Sequence, residues 1–119
     1  MESEPAQEQI DLPQYRVKWH QNIEEDFSKI SKPMAGNIIE NAEHRLSRAP
    51  QFLGQPLKGT TNLIWKIRFS KYRILYTMNP KAKEVWILSV QKRDLVYRDR
   101  HVQSLVKLAL AIQNQIDQG

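Results

Sequence analysis

The sequence predicts an α+β domain, on three observations. Residues 63–97 hold three consecutive strand patterns joined by short turns. Two helical patterns precede them, and a longer amphipathic one follows. The length of 119 residues suits one domain with a single core.

Residues 1–13 are acidic, poor in large apolar side chains and interrupted by Pro5 and Pro13, which predicts a flexible tail ahead of a domain spanning 14–119. Tyr15 to Trp19 alternates apolar with basic residues and reads as a short strand. Asn22 can cap a helix whose first turn carries Glu24, Glu25 and Asp26, with Ile23, Phe27 and Ile30 on one face. Ser31 and Pro33 can cap and open a second helix with Met34, Ile38, Ile39, Ala42 and Leu46 at helical spacing, ending before Pro50. The two helices are expected to form a hairpin on one face of the sheet. Ala49 to Asn62, rich in Pro, Gly and Thr, reads as a loop whose Phe52, Leu53 and Leu57 tuck into the core.

Trp65, Ile67 and Phe69 alternate with Lys66 and Arg68, so the two cations share one face of a strand. Ser70-Lys71 suggests a tight hairpin into a second strand, Tyr72 to Met78. Residues 79–83 make the next turn, and Glu84 to Val90 is strand-forming. Asp94 or Asp99 can start the last helix, at about 100–117. Its apolar face comprises Val102, Leu105, Val106, Ala109, Ile112 and Ile116, widened by Leu108 and Leu110. That face must pack on this sheet, a partner chain or a second copy.

The net charge of +5 understates an asymmetry. Residues 1–12 carry four acids and no Lys or Arg, and Lys58 to Arg100 holds eleven cations against Glu84, Asp94 and Asp99. Such clustering fits a surface that meets a polyanion and equally a solvated basic face. No apolar run is long enough for a membrane span, and the polar, acidic N-terminus resembles neither a secretory signal nor a transit peptide. Zero cysteines exclude disulfides and thiolate metal sites and fit a cytoplasmic protein.

Several conventional site types lack their parts. The four glycines are too scattered for a phosphate loop, and the central sheet offers no pair of carboxylates. His20, His44 and His101 stand apart at no metal-ligand spacing and read as surface residues, so no metal and no cofactor is predicted. What remains is a set of cations, Lys66, Arg68, Arg73 and Arg93, with Tyr97 four residues beyond the last. Such a set can hold a phosphate and stabilise charge developing on it. With RNA, the substrate's own 2′-hydroxyl can attack, and a tyrosine can stack a base. The same alternation also describes the solvated side of a half-buried strand, with Trp65, Tyr72, Tyr76 and Trp86 as core or sheet residues.

The order Leu57-Lys58-Gly59, Trp65-Lys66-Ile67-Arg68, Tyr72-Arg73-Ile74-Leu75-Tyr76 and Ile87-Leu88-Ser89-Val90-Gln91-Lys92-Arg93 resembles the RelE/ParE superfamily of toxins from type II toxin–antitoxin systems, in its RelE-like branch. The specific match covers about residues 57–97, and residues 14–97 are compatible with the family's element order. The resemblance implies a small RelE-like α+β fold, with two N-terminal helices packed on a twisted, mainly antiparallel sheet; the C-terminal helix follows it. It implies ribosome-dependent cleavage of mRNA leaving a 2′,3′-cyclic phosphate, or, on the ParE-like alternative, poisoning of DNA gyrase. A catalytically degenerate RNA-binding module is a third reading.

Carried over by position, Lys66 is the candidate base or proton relay, Arg73 the stabiliser of phosphorane-like charge and Arg93 the support of the leaving 5′-oxygen. Arg68, always charged, can clamp phosphate but is a poor base. Tyr97 matches the family's late tyrosine at a shorter spacing. Lys58, Lys71, Lys92 and Arg98 are assigned to RNA backbone contacts. The implied partners are mRNA on the ribosome and a cognate antitoxin protein that forms a hetero-oligomer with the toxin, covering its basic face or displacing the C-terminal helix.

Overall fold

The computed structural model describes residues 14–93 and 99–118; the acidic segment 1–13, with its predicted flexibility, lies outside the described residues. The elements in order are β1 (Arg16–Trp19), α1 (Ile23–Phe27), α2 (Lys32–Leu46), α3 (Pro50–Leu53), β2 (Gln55–Pro56), β3 (Trp65–Phe69), β4 (Tyr72–Asn79), β5 (Glu84–Lys92) and α4 (Asp99–Gln118). The strands form one sheet in the order β1-β5-β4-β3-β2. β1 runs parallel to β5, and every other pair is antiparallel. This is the helix-on-sheet α+β arrangement that the strand and helix patterns predict.

β4 lies at the centre, and each residue from Tyr72 to Thr77 is buried. Its pleat sends Tyr72, Ile74 and Tyr76 to one face, where they pack with Ile23 of α1 and Ile38, Ala42 and Leu46 of α2. Leu75 points the other way and joins Leu57, Ile64 and Leu88 beneath Leu105, Ala109 and Ile112 of α4. The apolar stripe of α4 therefore packs on this chain's own sheet. Two apolar layers, one on each face, hold the domain together at roughly 1.5–3 kcal/mol per fully buried large apolar side chain.

One bulge breaks the alternation. Leu75 faces Ser89 while the next residue, Tyr76, faces Ile87, so Leu88 is an extra residue on β5. Leu88 and Ser89 both turn toward α4 as a result, and Ile87 and Val90 both reach the α2 layer.

The predicted cap of α2 is present: Ser31 Oγ accepts the Met34 N–H at 3.3 Å, with Pro33 in the first turn. The predicted cap of α1 is not. Asn22 has helical φ and ψ and makes no side-chain cap; its own N–H is donated to His20 Nδ1 at 3.1 Å. The hairpin between β3 and β4 has the predicted two-residue loop, with Ser70 at φ 56°.

Residues 49–62 are more ordered than a loop, because α3 and β2 lie within them. Leu57 is buried as expected, but Leu53 is 44% exposed. The buried side chain that meets this segment is Tyr76, whose hydroxyl donates to the Pro50 carbonyl at 2.7 Å. The side chains of Phe52 and Ile116 lie outside those described. Leu110, 48% exposed, is likewise not part of the packed stripe.

Gly54 sits directly against that tyrosine. A Cβ there would overlap the Tyr76 hydroxyl and come within 2.9 Å of the Lys66 carbonyl oxygen. Burial pushes the Tyr76 phenol above its ordinary value, so the hydroxyl stays a donor across the usual pH range. Gly54→Ala is expected to destabilise the fold by about 1–3 kcal/mol through overpacking, read as a lower urea midpoint. Gly36→Ala, within α2 and with nothing near its Cβ, is expected to stabilise by about 0.5–1 kcal/mol.

Candidate functional site

The ladder registers fix where the cations stand. Arg68 of β3 is directly opposite Arg73 of β4, and Arg73 is opposite Gln91 of β5. One row along, Lys66 is opposite Leu75, which is opposite Ser89. Lys66, Arg68 and Arg73 therefore share the α4 side of the sheet, as the period-two pattern predicts. Like charges placed directly opposite one another destabilise a strand pair unless something of opposite sign meets them.

The environments of these cations differ. Arg68 is exposed, and its backbone carbonyl accepts a bond from Arg45 Nη1 at 2.9 Å. Arg73 is only 7% exposed, and its Nη1 donates to the Tyr72 carbonyl at 3.0 Å and the Ser70 carbonyl at 3.4 Å. Its charge is thus held by the hairpin's own carbonyls, across the strand pair from the exposed Arg68. Arg93 is exposed at the end of β5, where its N–H is donated to the Lys71 carbonyl at 3.2 Å. The fold thereby brings Arg93 and Lys71 to the hairpin end of the sheet.

The remaining assigned residues are less concentrated. Lys58 is exposed in the loop ahead of β3. Lys71 is exposed with its ammonium 5.8 Å from the Tyr72 ring centroid. Lys92 pairs with Tyr72, which places it on the α2 side, away from Arg68 and Arg73. Tyr97 and Arg98 lie outside the described residues, as does Asp94. Among the described residues no group of three or more His, Asp or Glu is placed to hold a metal ion.

No family model matches the chain. Over 84 residues it is 30% identical to Toxin RelG of Mycobacterium tuberculosis, a match that spans 71% of this chain and 97% of that protein. This chain belongs to the RelE family of toxins. The RelBE2 toxin–antitoxin complex of M. tuberculosis contains a chain 29% identical, wholly covered by 69% of this chain at a TM-score of 0.62. The archaeal RelE–RelB complex of Pyrococcus horikoshii is similar at 27% identity and a TM-score of 0.51, over 67% of this chain and 96% of that one. An Escherichia coli RelE mutant bound to an antitoxin peptide shares the fold, at 20% identity and a TM-score of 0.57, over 71% of this chain and 90% of that one.

Beside its cationic face this RelE-family chain carries a polar cluster that the sequence reading missed. β1 stops pairing opposite Ile87, leaving the edge of β5 open beyond it. Asp26 of α1 fills that edge: one carboxylate oxygen accepts the Val90 N–H at 3.0 Å and the other accepts from Gln91 Nε2 at 2.7 Å. Close by, His101 Nε2 lies 2.9 Å from the hydroxyl of the fully buried Ser89, tying α4 to β5. His101, read from sequence as a surface residue, is half-buried because it lies on the stripe of Leu105, Leu108 and Ile112 that packs on the sheet. A sequence signal existed in both cases: Asp26 shares a helix face with Ile23, Phe27 and Ile30, and His101 is four residues before Leu105.

Burial pushes the Asp26 carboxyl above its ordinary value, although the Val90 N–H and the charges of His101 and Lys29 oppose that shift. Burial pushes the His101 imidazole below 6.5, with the Asp26 charge pulling the other way. The folded chain thus binds the His101 proton less readily than the unfolded one. The stability this contributes is present above 6.5 and is lost as pH falls below it. Asp26 has the opposite sign, its contribution falling as pH rises above 3.8. Denaturant midpoints followed between about pH 7 and pH 5 are expected to fall for the parent chain, to flatten in His101→Gln, and to fall more steeply in Asp26→Asn.

Proposed function

We propose that this toxin is an endoribonuclease that cleaves messenger RNA positioned on the ribosome. The observation that carries the reading is the placement of Arg68 opposite Arg73 with Lys66 one row along, on one face of a rigid sheet. A phosphodiester lying on that face meets several positive charges at once, and as negative charge builds on phosphorus the same groups stabilise it more strongly. No protein nucleophile is required, because the substrate carries a 2′-hydroxyl beside the bond to be broken.

In this reaction the 2′-oxygen attacks phosphorus, its proton passing to the relay residue Lys66. The bond to the 5′-oxygen breaks, and that oxygen takes up the proton that Lys66 relays, giving a 2′,3′-cyclic phosphate and a free 5′-hydroxyl. Arg68 clamps a non-bridging oxygen. Arg73, set lower in the face, contributes charge from a low-dielectric position where its field is less screened by water. Arg93 supports the leaving oxygen from the hairpin end, and Tyr97 stacks a base or hydrogen-bonds near the scissile group. Lys58, Lys71, Lys92 and Arg98 contact messenger or ribosomal backbone, Lys92 from the far side of the sheet. Positioning comes from the ribosome, so naked RNA is a poor substrate. Charge stabilisation comes from side-chain cations, so no metal ion is called for.

The partner that restrains the activity is a cognate antitoxin protein, forming a toxin–antitoxin hetero-oligomer. Support comes from the similar structures, which are toxin–antitoxin complexes from M. tuberculosis and P. horikoshii.

Primer extension on messages from cells briefly expressing the chain tests the reading. Discrete cuts within translated codons are expected, reduced on the order of 10²-fold or more in Arg93→Ala and Arg73→Ala variants that still fold. Intact message with arrested growth would overturn it in favour of a gyrase poison, and intact message with normal growth in favour of a binding module.

A further inference from the structure

On the side of the sheet away from Arg68 and Arg73, β1, α1 and α2 border a cavity of about 310 Å³. Trp19, Ile23, Phe27 and Ile39 form its apolar walls, and the exposed Glu24 and Glu43 stand among them. The Trp19 and Phe27 rings meet at 44° with their centroids 5.8 Å apart, which makes an aromatic corner. Trp19 Nε1 donates to Glu43 Oε2 at 3.0 Å, so an indole and a carboxylate are held side by side. A hollow of this size, apolar with a few placed polar groups, has the make-up of a binding site.

We propose that this cavity receives an arginine side chain of the cognate antitoxin. The inference rests on the reading of an antitoxin as the partner, and it adds a contact on the side away from the proposed cleavage face. Charge complementarity sets the sign of the occupant: two carboxylates line the cavity, and among the described residues no Lys or Arg does. Lys18 precedes Trp19 on β1 and so points to the other side of the sheet, while Lys29 lines a separate cavity with Tyr72 and Gln91. His20 also borders the cavity, but its Nδ1 accepts the Asn22 N–H, so it stands there as a neutral ring. The same two carboxylates repel an RNA backbone, which separates this side from the cationic one.

Shape favours a guanidinium over an ammonium. A planar, delocalised cation stacks on an aromatic face and donates two parallel N–H bonds to a carboxylate at its edge. Glu43 gives one acceptor site to Trp19 and keeps the rest of its lone pairs for such a donor. Ile23 and Ile39 offer apolar surface to the methylene stem of the incoming side chain. The bond between Trp19 and Glu43 also orders two walls of the cavity before anything enters, which reduces the ordering needed on binding.

Two titrations test the site. In the first, Nα-acetyl-arginine amide and its uncharged citrulline analogue are added to the isotope-labelled chain while the Trp19 indole N–H is followed by NMR. A saturable shift is expected with the arginine compound and not with the citrulline one. In the second, the ligand is the antitoxin encoded beside the toxin gene. Its affinity is expected to fall on the order of 10-fold in Glu43→Gln, which keeps an acceptor for Trp19 and removes the charge. Glu24→Lys, at an exposed position that the core does not need, is expected to weaken binding as well and keeps the test decisive if Glu43→Gln folds poorly. Replacing the inserted arginine of the antitoxin by Gln is expected to cost as much as Glu43→Gln, with little further loss when the two are combined. An arginine amide that binds, beside an antitoxin affinity that neither variant moves, would overturn the antitoxin as occupant. Equal responses to the two amides with unmoved antitoxin affinity would overturn the site. An antitoxin that does not bind the parent chain would overturn the partner reading together with it, whatever primer extension shows of the cleavage.

Discussion

The burial of β4 on both faces is the constraint from which the rest of the architecture follows. A strand buried from Tyr72 to Thr77 needs every backbone group paired, which β3 and β5 supply from either side. It also needs an apolar layer on each face, which α2 and α4 provide. The polar members of the strand are satisfied individually. Gln113 of α4 reaches Thr77 Oγ1 and the Met78 carbonyl, and Asn79 Oδ1 accepts the Ala82 N–H of the following turn. Arg73 is the one charged side chain in the buried run, and the carbonyls of its own hairpin offset its desolvation.

That same constraint makes the cations a fixed array. Arg68 and Arg73 face each other because the hairpin register says so, whether or not an anion is present. The backbone positions that carry these charges need no rearrangement when an anion arrives. The opposite layer mixes signs: Glu24, Glu25, Glu40 and Glu43 are exposed on and around α1 and α2 together with Lys29 and Lys32.

Much of this was legible in the residues. The alternation of Trp65, Ile67 and Phe69 with Lys66 and Arg68 specified both the strand and its two faces, and Ser31 with Pro33 marked the start of α2. The spacing of Val102, Leu105 and Ala109 specified the buried stripe of α4, though not what it would pack against. The bulge at Leu88 was not legible, because a run of apolar residues carries no mark of which one is extra. Asn22 looked like a cap from its type and place, but its backbone is already helical and its side chain accepts no N–H of the first turn. The roles of Asp26, Arg45 and His101 depend on contacts between elements distant in sequence: α1 with β5, α2 with β3, and α4 with β5. A local pattern can place such a residue on the right helix face but cannot name its partner.

The parallel pairing of β1 with β5 has a consequence for how the chain comes into being. Arg16 and Glu84, neighbours in the sheet and joined by a 3.1 Å ion pair, are 68 residues apart in the chain. At roughly 5–20 residues per second of synthesis, the first strand made waits several seconds for its partner. The β3–β4 hairpin that carries Lys66, Arg68 and Arg73 emerges earlier, but a lone hairpin is marginal in water until a third strand and an apolar layer join it. The nascent chain acquires a firm cationic sheet face only when β5 has left the exit tunnel and paired with β4.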